Sequence, residues 1–129
     1  MEGVKVRAGL QHVSSPIPDG GQDGVRRFYR ELLGLAELPV PTTLDSRKLV
    51  WFKAGDGLEL HFFPGEQAPS SERHFCLEVD DLEATRRALE AAGLEPYDTT
   101  PIPNRPRLFC RDPFDNLIEF TTIKGSYLE

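Results

Sequence analysis

Arg73-His74-Phe75-Cys76-Leu77-Glu78-Val79-Asp80-Asp81-Leu82-Glu83 decides the fold. Over residues 73–79 apolar and polar side chains alternate, which is the period of a half-buried strand. Asp80-x-x-Glu83 has the pattern of a capping box. Leu82, Ala88, Leu89 and Ala92 then give a helix its apolar stripe, and Gly93 ends it. Beyond the helix the pattern predicts strands over 94–99, 106–110 and 117–123. An irregular loop at 101–106 and the turn Asp112-Pro113-Phe114-Asp115-Asn116 separate them.

The residues before Arg73 run in the same order. A strand is predicted over 6–14, broken by the turn chemistry of Ser15-Pro16-Ile17-Pro18-Asp19-Gly20-Gly21. Asp23 caps a helix starting near Gly24, with Val25, Phe28, Leu32 and Leu35 at helical spacing and Gly34 at its stop. Pro39 and Pro41 allow only a short edge strand over 38–43. Strands over 49–53 and 58–63 flank the hairpin signal Ala54-Gly55-Asp56-Gly57. Residues 67–71 read as a polar linker.

The halves are a repeat. His12 and His74 lie 62 positions apart, Gly34 and Gly93 59, and Glu59 and Glu119 60. Each glutamate sits between apolar neighbours just after a turn. Such self-similarity predicts two copies of one supersecondary unit. The expected fold is α+β, with two tandem βαβββ modules (about 5–66 and 72–124) in a single domain over 1–129. They are expected to form one curved mixed β-sheet, with the helices packed outside. Alternate residues of a strand share a face, so His12, Glu59, His74 and Glu119 can converge on the concave side. Two imidazoles and two carboxylates suit a five- or six-coordinate metal. His61 shares the face of Glu59 and is the alternative fourth ligand; Glu59 ranks first because it matches Glu119 in the repeat.

Composition bounds the partners. The chain has 129 residues, 28% of them charged, with a net charge of −6. An acidic balance argues against nucleic acid. Arg105, Arg107 and Arg111 could form a local basic patch, although a solvated loop and strand edge is the preferred reading. Cys76 and Cys110 are too few for a disulfide framework and read as reduced thiols. No membrane span or signal peptide is legible, so a cytoplasmic protein is expected. Most aromatics are expected in the core, with Trp51 and Phe109 near equivalent repeat positions and able to line a cavity.

The sequence resembles the vicinal oxygen chelate superfamily, which contains glyoxalase I, the bleomycin and fosfomycin resistance proteins and the extradiol dioxygenases. The matching pieces are Leu10-Gln11-His12-Val13, Phe28-Tyr29-x-x-Leu32-Leu33-Gly34-Leu35, Arg73-His74-Phe75-x-Leu77-x-Val79-Asp80-Asp81 and Arg111-Asp112-Pro113-x-x-Asn116-x-Ile118-Glu119. The resemblance implies a divalent metal ion (Zn, Ni, Mn or Fe) on His12, His74 and Glu119, with Glu59 in the fourth place. It implies a small-molecule substrate chelated through two neighbouring oxygens, and a homodimer. A glyoxalase I-like lyase or isomerase follows, with Glu119 or Glu59 as the base. The alternatives are an extradiol-type dioxygenase assisted by His61 or Tyr97, a thiol transferase acting on an antibiotic epoxide, and a metal-free antibiotic-binding resistance protein.

Overall fold

The computed structural model describes residues 3–5, 7–67 and 71–128. Position 6 and most of the 67–71 linker lie outside them. The first module comprises β1 (His12–Ile17), a helix, β2 (Glu37–Leu38), β3 (Val50–Gly55) and β4 (Leu58–Pro64). The second comprises β5 (His74–Glu78), α2 (Leu82–Ala91), β6 (Arg107–Arg111) and β7 (Leu117–Thr121). The tandem βαβββ order is as expected. The hydrogen-bonded sheet, however, is two sheets: four strands in the order β1-β4-β3-β2 and three in the order β5-β7-β6. In each, the first strand pairs parallel with the last. Among the described residues the second module has no full counterpart of β2. Tyr97 alone bridges to Phe109 there, where a strand over 94–99 was expected.

Several boundaries differ from the sequence reading. β1 starts at His12 and runs through Ser15 and Pro16, which had looked like a turn. Pro16 is tolerated because β1 is an edge strand, with β4 its only partner among the described residues. The first helix begins at Gln22 rather than Gly24, and Asp23 lies in its first turn without capping it. Its α-helical turn α1 (Gln22–Val25) continues into a π-helical stretch, Arg26–Leu32. The second helix is capped by Asp81 rather than Asp80; the Asp81 carboxylate accepts from the Ala84 amide at 3.0 Å. Gly34 (φ 79°) and Gly93 (φ 81°) stop the two helices in the left-handed conformation that glycine adopts at least cost.

One apolar cluster joins the modules. It includes Ile17, Val25, Phe28, Phe52 and Phe62 from the first, and Leu82, Leu89, Leu108, Ile118 and Phe120 from the second. Strand alternation fixes the rest. With Leu60, Phe62, Ile118 and Phe120 turned inward, Glu59, His61 and Glu119 must face away from the core.

Candidate metal centre

The outward faces carry two separate groups of chemical side chains. On the first sheet, His12 and Glu59 are directly opposed across the parallel β1–β4 pair. His61 Nε2 lies 2.8 Å from Glu59 Oε1. The rings of His61 and Trp51 stack at 3.8 Å and 2°, and His12 stacks on the other side of His61 at 4.1 Å and 14°. His12 Nδ1 is hydrogen-bonded to the Gln11 side-chain oxygen. His61, then Gln11, hold the Glu59 carboxyl below its ordinary value of 4.5 through hydrogen bonds.

On the second sheet, His74 is opposed by Leu117, and Glu119 by Cys76. His74 Nδ1 lies 2.9 Å from the Glu72 carbonyl oxygen, and its Nε2 3.2 Å from Glu119 Oε1. A carbonyl only accepts, so Nδ1 carries the proton and donates it. A neutral His74 then turns a lone pair on Nε2 toward a carboxylate oxygen. Two acceptors face each other, and a cation, proton or metal, is what satisfies both. A ring nitrogen fixed by a carbonyl is also the usual outer support of a metal-bound histidine. Gln11 gives His12 the same arrangement.

Arg107 holds the other side of Glu119. Its Nη1 lies 3.4 Å from Glu119 Oε2, its Nη2 donates to the Thr100 carbonyl at 2.8 Å, and its guanidinium lies over the Phe109 ring at 5.6 Å. The basic-patch reading of the three arginines fails on this arrangement. Arg107 serves Glu119, Arg111 ties the Ser71 carbonyl, and Arg105 binds the Gly125 carbonyl and lies over Tyr127. Cys76 is exposed on the same face as His74, as expected from alternation. Partial withdrawal from water, and next the Glu119 carboxylate, push its thiol up to about 11, which leaves it protonated and a poor nucleophile at neutral pH.

The four expected ligands are thus brought together in pairs, not as a foursome. Among the described residues no group of three or more His, Cys, Asp or Glu side chains is placed to hold one metal ion. The ladder also sets an equivalence that residue spacing missed. His12 opposes Glu59 while His74 opposes Leu117, so the diagonal neighbours of the two histidines are His61 and Glu119. Trp51 and Phe109 oppose those two residues, confirming the match. By register, His61 and not Glu59 stands where Glu119 stands. The Trp51 stack, the Gln11 bond and the Arg107 tether carried no motif in the sequence.

The sequence model of the Glyoxalase/Bleomycin resistance protein/Dioxygenase superfamily matches residues 9–120. The chain belongs to that superfamily. Within the superfamily, a Bacillus anthracis protein described as of the glyoxalase family is 31% identical, with a TM-score of 0.83 over 94% of this chain and 99% of its own. A lactoylglutathione lyase from Agrobacterium tumefaciens is 23% identical, with a TM-score of 0.68 over 93% and 97%. TnmS3, an antibiotic-binding protein from a Streptomyces species, is 20% identical, with a TM-score of 0.72 over 93% and 99%. The last two share the fold. Among curated proteins none matches the chain. The superfamily thus spans enzymes and binding proteins on this one architecture, and commonly uses divalent metals.

Proposed function

We propose that the chain is one subunit of a metal-dependent, glyoxalase-like lyase or isomerase. Its centre is built from His12 and Glu59 of one copy and His74 and Glu119 of a second. The observation that carries this reading is the pair of outward half-sites. In each, a first-strand histidine has its Nδ1 engaged by an oxygen, with a glutamate on the last strand of the same sheet. Two histidines and two carboxylates leave coordination positions free for a substrate.

A divalent ion there would supply Lewis acidity toward two neighbouring substrate oxygens. The chain's own residues supply the rest. Glu59 and Glu119 are the proton carriers: a carboxylate beside the reacting carbons can take a proton from one and return it to the next. Arg107 keeps Glu119 oriented through Oε2. Trp51 stacks on His61 and Phe109 meets the His74 ring edge-on, so an aromatic ring flanks each half-site.

The test is metal analysis of the purified chain, coupled to a turnover screen over α-oxoaldehyde hemithioacetals, catechols and epoxide antibiotics. The expected result is near-stoichiometric Zn, Ni, Mn or Fe and turnover of a hemithioacetal. Turnover of a catechol or an epoxide instead would replace the reaction but keep the site. A chain that takes up no metal after supplementation at neutral pH sinks the metalloenzyme reading. A second reading, a metal-free drug-binding protein, draws on the ring-lined faces around Trp51 and Phe109 and predicts tight antibiotic binding without metal.

A further inference from the structure

On the inner side of the sheets, an apolar crevice of about 510 Å³ lies where the two modules meet. Leu32 and Leu35 at the end of the first helix, with Ala54 of β3, line one side; Leu77 of β5, with Ala84 and Ala88 of α2, lines the other. Alternation separates this wall from the candidate metal centre. On β5, Leu77 turns toward the core and so away from the face that carries His74 and Cys76. The crevice exists because the side chains of α2 there are small: Ala84 and Ala88 are one turn apart and share a face. Leu32, Leu35 and Leu77 pack against the core yet stay only partly buried, so they leave apolar surface open to the crevice. A well-packed interior holds few voids larger than a water molecule. Pockets that take a small organic ligand measure about 300–1,000 Å³.

The polar part of the lining is electronegative. Glu78 is its one charged residue, and among the described residues the Glu78 carboxylate has no hydrogen bond or salt bridge. The first helix ends at the crevice, with Leu32 its last residue and Leu33 its C-cap, which brings the negative end of the helix dipole there. Arg30, the basic residue of that last turn, is held by Glu37 at 3.0 Å. Thr85, the other polar lining residue, donates its hydroxyl to the Asp81 carbonyl at 2.9 Å. The lining thus attracts a cation and offers no charged donor to an anion. We propose that the crevice is a binding site for a small apolar molecule that carries an amine or another cationic group. The hydrocarbon part lies between α2 and the end of the first helix, with the cation toward Glu78. This site is separate from the metal-centre reading and does not depend on it.

The experiment is displacement of the neutral fluorophore phenylnaphthylamine from the full chain by decylamine, decanol and decanoate, each below its micelle concentration. The three share a tail and differ in head charge. Decylamine is expected to displace the fluorophore at the lowest concentration and decanoate at the highest. Glu78→Gln weakens decylamine about 2–5-fold, the scale of one exposed charge interaction, and leaves decanol unchanged. Ala88→Phe fills the crevice from α2 and weakens all three by about 10-fold, which corresponds to lost burial of roughly two methylene groups. Its thermal midpoint reports whether it folds. Methyl NMR of the wild type needs no variant: decylamine shifts the methyls of Leu35, Leu77 and Val79 and leaves those of the exposed Leu10 and Leu44 in place. The proposal is overturned if displacement does not saturate, or if decanoate binds as tightly as decylamine. Unchanged decylamine binding in Glu78→Gln, or in a folded Ala88→Phe, overturns it too. So do shifts spread over Leu10 and Leu44, which mark unspecific binding to the surface.

Discussion

Tyr29 and Asp112 are 83 positions apart in the chain, and the Tyr29 hydroxyl donates to Asp112 Oδ2 at 2.6 Å in the core. The same carboxylate accepts from the amides of Phe114 and Asn116 and from the Asn116 side chain. Asn116 also donates to the Pro16 carbonyl on β1, so this cluster ties the second module's turn to the first module's site strand. Removing the phenol oxygen in Tyr29→Phe keeps the packing and loses one bond to a buried carboxylate. The expected cost is about 1–3 kcal/mol, read as a midpoint several degrees lower in thermal unfolding. An unchanged midpoint would mean that the bond contributes nothing. Burial raises the Asp112 carboxyl above its ordinary 3.8, against the pull of its hydrogen bonds. The folded chain therefore holds this proton to higher pH than the unfolded chain does. Its contribution is greatest in acid and is lost as pH rises through the folded value. Urea midpoints of wild type minus Asp112→Asn should accordingly shrink as pH rises above the ordinary carboxylate range of about 4; a difference that grows would reverse the assignment. At this scale the sequence showed which residues share a face. It could not show Tyr29 meeting Asp112, because alternation and helical spacing say nothing about a partner 83 positions away.

Among the elements, the first helix is where propensity and packing oppose each other. Alanine is preferred over glycine inside a helix by about 1 kcal/mol. At Gly24, however, an added Cβ would lie 2.7 Å from the Phe114 ring, well inside contact distance. Phe114 packs against the core from the second module's turn. Gly24→Ala is therefore expected to destabilise by about 1–3 kcal/mol, the usual range for overpacking. Phe114→Leu on top should recover part of it. A stabilised Gly24→Ala would show that the ring yields freely. Most strands were legible, since β3 to β7 fall on alternating or turn-bounded segments that the residue pattern marks, while β2 shares only Leu38 with the expected 38–43 strand. Three things were not. β1 was misplaced because Pro16 reads as a breaker, and only its edge position makes it tolerable. The π-helical stretch has no composition of its own. The two-residue shift that pairs His61 with Glu119 lies in the ladders, where lateral neighbours are chosen by hydrogen bonding rather than by spacing.

At the scale of the whole molecule, the repeat was legible but its assembly was not. Spacing promised four convergent ligands; the fold delivers two pairs on two sheets. A pair of ligands is a weak site, and under the reading proposed above a second copy supplies the missing pair. Closed two-fold symmetry would give two equivalent centres per dimer. That geometry has a consequence no single-chain site shares. Take one variant with His12→Ala and Glu59→Ala, and another with His74→Ala and Glu119→Ala. Each alone forms dimers whose every centre lacks one pair. In a mixed dimer, one centre lacks both pairs and the other is intact. Random exchange at equal concentrations makes half the dimers mixed, so about a quarter of the wild-type metal capacity should return, by symmetry counting alone. Metal capacity of each variant and of the exchanged mixture, measured after gel filtration, reads this directly. A mixture that binds no more than the two variants apart would place all four ligands within one chain or remove them from the site. Substantial binding by either variant alone would show that one pair suffices.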